Sequence, residues 1–159
     1  MEHGGLFVSL EIKFVQHSDP ILHDLIAKLD QDLMARYPIE EIYFVDFDDP
    51  SIEQITFAIA LLEGIPVGCG ALRPINQDYT ELKRFFVDST YRKQGIATDL
   101  LAFLEKEALR LGHHTIRLEA GEAQPEAVAF YTKCGYYPIA CFGEYIGSKS
   151  SLCFEKKIG

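Results

Sequence analysis

The segment Arg92 Lys93 Gln94 Gly95 Ile96 Ala97 sets the strongest limit on how this chain can fold, because it lies between a strand-like run, Leu82 to Val87, and a helix-like run, Thr98 to Leu111. Leu100, Leu101, Leu104, Ala108 and Leu111 join Ala97 on one face at helical spacing, and Gly112 is placed to end the helix. Thr115 to Glu119 then reads as a second strand. A strand, helix, strand unit of this kind is a right-handed crossover, which lays the helix on one sheet face and brings its N-terminus to a strand end. At that end the first amides lack partners inside the helix, Gly95 carries no side chain, and Ala97 adds only a methyl. The turn is therefore suited to hold an anion such as a pyrophosphate. On charge alone, Arg92, Lys93 and Gln94 could equally form a solvated turn.

The rest of the chain continues in the same alternation of strands and helices. Phe7 to Val15 alternates like a strand, and Asp19 with Pro20 supplies a cap and first-turn residue for a helix. Ile21, Leu22, Leu25, Ile26, Leu29 and Leu33 carry that helix to Ala35, where Tyr37 Pro38 stops it. Ile42 to Val45 fits either a short strand or a packed loop, followed by turn chemistry at Asp48 Asp49 Pro50. Ile55 to Leu62 and Pro66 to Leu72 flank Glu63 Gly64 as a hairpin. Within Glu81 to Val87, Phe85 and Phe86 break the alternation, as burial on both faces or a bulge would require. Gln124 Pro125 opens a short helix that ends at Gly135, and Tyr137 to Phe142 and Ser151 to Lys156 read as the last strands.

Composition narrows the function classes. The chain has 159 residues, 48% of them hydrophobic and 25% charged, which suits one domain with a sizeable core. No apolar stretch approaches the roughly 20 residues of a membrane span, and Met1 Glu2 His3 Gly4 Gly5 has no secretory pattern, so no membrane association and a cytoplasmic location are expected. The net charge of −9, from 15 basic and 24 acidic residues, argues against nucleic acid as a partner. The acidic clusters, among them Glu119, Glu122 and Glu126, read as solvated surface. Cys69, Cys134, Cys141 and Cys153 show no C-x-x-C spacing and the five histidines add no ligand pattern, so neither a metal site nor a disulfide frame is expected. His113 and His114 follow a helix stop and read as capping or solvated residues. No pattern fixes the oligomeric state, which leaves a homodimer open.

With these elements in order, the chain resembles the GNAT superfamily of acyl-CoA-dependent N-acetyltransferases, whose signature Q/R-x-x-G-x-G/A opens the central helix. Arg92, Gly95 and Ala97 satisfy it, and Glu81 Leu82 Lys83 Arg84 Phe85 Phe86 Val87 before it and Phe130 Tyr131 Thr132 Lys133 Cys134 Gly135 Tyr136 after it resemble the neighbouring elements. The clear resemblance covers Gly64 to Pro138. It implies an α/β (α+β) fold as a single domain over residues 1–159, with a central mixed, twisted sheet of about six to seven strands and helices on both faces. It also implies acetyl-CoA as cosubstrate, lying where the strand at Phe85, Phe86 and Val87 splays from Thr115 to Glu119. The pantetheine would pair with backbone of those three residues, and the pyrophosphate with the turn formed by Arg92, Lys93, Gln94, Gly95, Ile96, Ala97 and Thr98. Gln124 stands where the family commonly has Asn, seven residues before Tyr131; it keeps the amide and lengthens its reach.

The implied reaction is transfer of an acetyl group to a primary amine of a small molecule or peptide. An amine with a reference pKa of about 10.4 must lose a proton before it can attack. Glu81 matches the family's general-base position, and as a plain structural residue it would be an exposed strand-end carboxylate paired with Lys83 or Arg73. Tyr131 matches the tyrosine that touches the cofactor and protonates the departing thiolate; as a plain structural residue it would be a packed helix aromatic. Cys134 and Cys69 have no activating partner in sequence, so direct attack is favoured over an acyl-cysteine route. A chain could also keep the cradle and lose turnover, as an acyl-CoA sensor or partner-binding module. Neither G-x-x-x-x-G-K-[ST] nor G-x-G-x-x-G is present to support another nucleotide-binding fold. The acceptor would be chosen by loops around Pro38 to Pro50 and Phe142 to Ser150, which carry no motif that names it.

Overall fold

A computed structural model describes residues 9–159. Seven strands form one mixed sheet: β1 (Leu10–Val15), β2 (Thr56–Leu62), β3 (Ile65–Pro74), β4 (Tyr79–Val87), β5 (Thr115–Gly121), β6 (Tyr137–Ile139) and β7 (Ser151–Lys157). Three α-helices accompany them, α1 (Pro20–Met34), α2 (Ile96–Arg110) and α3 (Pro125–Lys133). The strand order is β1-β2-β3-β4-β5-β7-β6. β4 and β5 pair in parallel and every other neighbouring pair is antiparallel, so the α2 crossover sits at the centre of the sheet. The α/β (α+β) plan of a mixed sheet with helices on both faces is what the sequence led us to expect.

Local chemistry accounts for the element ends. Asp19 caps α1 by accepting from the amides of Ile21 and Leu22, and Pro20 sits where no amide partner is needed. Glu63 and Gly64 both take positive φ, 50° and 80°, as a two-residue turn between β2 and β3 requires. The 42–45 segment is loop rather than strand, next to a single 3-10 turn at Ile39–Glu41. The expected strand from Tyr137 to Phe142 is cut to three residues, because the chain turns away after Ile139 into the loop that ends in the 3-10 turn Gly143–Tyr145. Of the strand expected from Phe7, the first two residues lie outside the described ones.

Alternation along β2 assigns the two faces. Phe57, Ile59 and Leu61 pack with Leu22, Leu25, Ile26 and Leu29 of α1, while Ala58 faces the other way, into the cluster built by Leu100, Leu101 and Leu104 of α2. α2 lies close to the sheet because β3 carries glycines beneath it. A Cβ on Gly70 would meet Leu104 Cδ1 at 2.7 Å and Phe85 Cδ1 at 3.2 Å, so a side chain there would force both to repack. Tyr131 and Tyr136 join the α2 cluster, which places α3 on the same side. Among the described residues no helix is long and apolar enough to cross a membrane.

Candidate active site

The central sheet opens where β4 and β5 part. Their ladder runs from Tyr79 opposite Thr115 to Leu82 opposite Leu118 and stops there. β5 continues to Gly121 along β7, and β4 continues to Val87 along β3, so residues 83–87 have no strand partner on the β5 side. A bulge accompanies the parting. The β3–β4 register shifts between Cys69 and Ala71, and Arg84 takes φ 53°. The broken alternation at Phe85 and Phe86 thus has a bulge as its cause.

A wide cleft of about 610 Å³ lies over this opening, lined by Phe85, Phe86 and Val87 of β4, by Arg92, Lys93, Gly95, Ile96, Ala97 and Thr98 at the start of α2, and by Gln124, Phe130 and Tyr131. Gly95 is the N-cap of α2 with φ 81°, and Lys93 before it is also left-handed at 65°. No side chain caps the helix, and a Cβ at Gly95 would meet nothing within 4 Å. The start of the helix thus has no side-chain cap and has open space beside Gly95, as an anion cradle needs. Arg92 braces the turn by donating from Nε to the Val87 carbonyl at 3.0 Å. Gln94, exposed, lies in the same turn but is not among the cleft-lining residues.

Gln124 uses its side chain internally: its Oε1 accepts from the Gly121 amide at 3.2 Å and shapes the turn from β5 into α3. The end of α1 holds the same turn from outside. Arg36 donates to the Ala123 carbonyl at 3.0 Å and forms an ion pair with Glu126 at 2.6 Å, and Tyr37 accepts from the Ala123 amide at 2.9 Å. The Tyr37 phenol fills the space a Cβ on Gly121 would occupy, 1.7 Å away, so only glycine fits there.

A second, smaller cavity of about 120 Å³ sits on the α1 face beside the cleft, walled by Tyr37, Glu41, Ile42 and Tyr43 from the segment after α1, Lys83 and Arg84 from β4, Glu119 from β5, and Tyr145 and Ser150 from the loop before β7. Its walls are charged and mostly internally paired. Arg84, 8% exposed, bonds Asp30 of α1 at 2.6 Å and the Tyr43 carbonyl, which anchors the 42–45 loop. Burial holds the Asp30 carboxyl above its ordinary range even beside that guanidinium. Burial likewise raises Glu119, against the opposing hydrogen bond from Ser151 at 2.7 Å and the charge of Lys83. Glu119 is therefore a cavity carboxylate and not the solvated surface acid expected from its cluster, because alternation along β5 turns its side chain to the α1 face.

Glu81 also departs from expectation. It pairs with Arg73 at 2.7 Å as foreseen, yet it is 0% exposed instead of lying at an open strand end. The loop ending at Tyr145 folds over it, and the Tyr145 hydroxyl donates to Glu81 Oε2 at 2.5 Å. Tyr131 is buried at 7% exposure between Phe85, Phe130 and Tyr136, and it lines both the cleft and the small cavity. Burial raises its phenol well above the ordinary range, so the hydroxyl keeps its proton. His113 is buried as well, its amide closing the end of α2 on the Ala108 carbonyl at 3.0 Å. The sequence reading placed neither Tyr37, Tyr43 nor Tyr145 at the site, and it named Lys83 only as an ion-pair partner of Glu81, from which it lies 3.9 Å. The place of Lys83 at the cavity could have been found by parity, two residues from Glu81 on the same strand, whereas nothing local marks Tyr145.

Four likenesses agree with this geometry. The Acetyltransferase (GNAT) family matches residues 22–136. The "IAA acetyltransferase" of Azospirillum brasilense is 36% identical over 135 residues, covering 84% of this chain and 88% of its own. A solved acyl-CoA N-acyltransferase assignment from Klebsiella pneumoniae superposes with a TM-score of 0.84 at 29% identity, over 94% of this chain and 98% of the other. A GNAT family acetyltransferase from Elizabethkingia anophelis, solved with acetyl-CoA bound, shares the fold at a TM-score of 0.67 and 17% identity, over 93% and 97% of the two chains. With a mixed sheet that splays beside a glycine-opened helix start, and with these relatives, the chain belongs to the GNAT family of acetyltransferases.

Proposed function

We propose that this acetyltransferase is a cytoplasmic single-domain enzyme that moves an acetyl group from acetyl-CoA to a primary amine of a small molecule or peptide by direct attack. The observation that carries the reading is that the wide cleft and the small cavity meet, sharing Leu29, Phe85, Gln124, Ala127 and Tyr131 as a common wall. A thioester seated in the cleft and an amine in the cavity would face each other across that wall, so that proximity supplies much of the rate.

The cleft suits the donor in both of its parts. The free edge of β4 at Phe85, Phe86 and Val87 offers an extended amide chain the bonds a neighbouring strand would make, and the turn from Arg92 to Thr98 offers amides to a pyrophosphate. Gln94 belongs to that turn, and Gln124 orders the opposite lip. The carboxylates of Glu41 and Glu119 in the small cavity suit an ammonium. Glu81 serves as the base and Tyr131 as the acid that meets the leaving thiolate, since its raised phenol stays protonated. Direct attack is favoured over an acyl-cysteine because burial pushes the Cys69 thiol up to about 12 and raises Cys134 too, which leaves neither a ready nucleophile.

Release of free CoA thiol from acetyl-CoA across a panel of primary amines, amino acids and short peptides tests this. Amine-dependent release with a subset of the panel is expected. Tight acetyl-CoA binding with no release on any amine would instead identify a silent acyl-CoA sensor.

A further inference from the structure

We propose that Tyr145 relays the acceptor's proton to Glu81, an inference that rests on the acetyl-transfer reading above. Glu81 cannot meet the amine itself. Its side chain is 1% exposed and does not line the small cavity, because Arg73 covers one carboxylate oxygen and Tyr145 the other. Tyr145 does line that cavity. The hydroxyl donates to Glu81 Oε2 at 2.5 Å and accepts from Lys83 Nζ at 3.2 Å. One lone pair on the phenolic oxygen is left for a third group.

The ring is held for this task. Tyr43 and Phe142 pack edge-on against it at 4.8 and 5.4 Å between centroids. The charged groups around the hydroxyl come from four elements: Glu81, Lys83 and Arg84 on β4, Arg73 on β3, Glu144 beside it in its own turn, and Glu119 on β5. Lys83, with its side chain 8% exposed, also reaches Glu144 at 3.3 Å, and Arg73 lies 3.7 Å from Glu144. Burial first, and the Glu81 charge second, hold the Tyr145 phenol far above its ordinary range. A free phenolate is therefore disfavoured, and the two proton transfers must occur together.

In that step one N–H bond of the bound ammonium breaks and its proton forms a new O–H bond on Tyr145. The original Tyr145 proton passes to Glu81 Oε2. The result is a neutral amine, an unchanged phenol and a neutral carboxylic acid. The amine lone pair then adds to the thioester carbonyl carbon, the C–S bond breaks with its electron pair on sulfur, and the second nitrogen proton reaches the thiolate by way of Tyr131. Glu81 returns its proton to solvent through Tyr145 after the amide leaves.

Tyr145→Phe keeps the ring and deletes the relay. With one accepted amine, kcat is expected to fall about 100-fold at mildly acidic pH and to recover toward wild type as the pH approaches the amine's own pKa. The acetyl-CoA Kd by calorimetry is expected to stay within about twofold. Glu81→Gln should give the same profile, and the double variant should be no slower than either single one, because the two groups act as a unit. A wild-type profile for Tyr145→Phe beside an impaired Glu81→Gln overturns the relay and leaves Glu81 as base. Wild-type profiles for both overturn the base assignment as well. A deficit that is flat across pH, or losses that multiply in the double variant, also overturns the relay. Should Tyr145→Phe fail to fold, a ring-fluorinated tyrosine at this position keeps the shape and acidifies the phenol. A displaced acid limb of its pH profile is then expected, and a superimposable one overturns the relay.

Discussion

The wide cleft and the small cavity meet at one wall but are built by opposite means. The cleft is made by backbone: a free strand edge, an uncapped helix start and a glycine whose missing side chain leaves space. The cavity is made by side chains, in which nearly every charge already has a partner, Arg84 with Asp30, Lys83 with Glu144, Glu119 with Ser151. A backbone site recognises what all its ligands share and tolerates changes in neighbouring side chains. A site of paired, buried charges is sensitive to single replacements, since removing one partner strands the other. The first arrangement fits a common donor, the second a selected acceptor.

The largest effect that would separate the two regions is expected at Arg84. Arg84→Ala leaves Asp30 unpaired and frees the Tyr43 carbonyl, at a cost of about 3 kcal/mol in stability measured by urea unfolding. The loosened 42–45 loop should raise KM for the amine and leave acetyl-CoA affinity unchanged; a weakened donor affinity would mean that the regions are not independent. Next come the two groups assigned to proton transfer, Glu81 behind the small cavity and Tyr131 on the shared wall. Glu81→Gln should lower turnover about 100-fold at mildly acidic pH and recover as pH rises, because the missing base matters less when the amine arrives neutral. Tyr131→Phe should show a deficit that persists or grows at high pH. Since burial raises its phenol, the wild-type donor does not titrate away at the ordinary tyrosine value of about 10. Parallel profiles at wild-type rates would assign the chemistry to proximity alone.

The smallest effect is at Glu119. Its carboxyl is raised by burial, so the fold is disfavoured wherever folded and unfolded states are both ionised, and the penalty disappears below the unfolded carboxylate value of about 4.3. Glu119→Gln keeps an acceptor for Ser151 and should therefore raise Tm by roughly 2 °C at neutral pH and by nothing at pH 3 to 4. A lower Tm at neutral pH would show that the charge is stabilised by its surroundings after all.

The difference in construction also explains what the sequence could disclose. Most of the cleft is contiguous: Arg92 to Thr98 and the strand before it lie close in the chain. The helix caps at Asp19 and the Glu63 Gly64 turn were legible for the same local reason. The cavity is assembled from residues 37–43, 83–84, 119 and 145–150, whose meeting depends on where β4 and β5 part and how the last loop folds back. Glu119 looked like one surface acid among several, and Glu81 like an open strand end, because the side chain that covers it is 64 positions away in sequence. Tyr137 to Phe142 kept an apolar, strand-like pattern past Ile139, but Phe142 is used to pack Tyr145 and not to pair with β7.

The central claim is that the turn from Arg92 to Thr98 holds the pyrophosphate of acetyl-CoA. Titration calorimetry of acetyl-CoA into the wild-type protein and into Gly95→Asp, with circular dichroism and thermal unfolding to show that the variant is folded, tests it most directly. Aspartate adds bulk and negative charge at the cradle, so saturable binding by the wild type and a loss of about 100-fold or more in the folded variant is predicted. Equal affinities in two folded proteins would contradict the account.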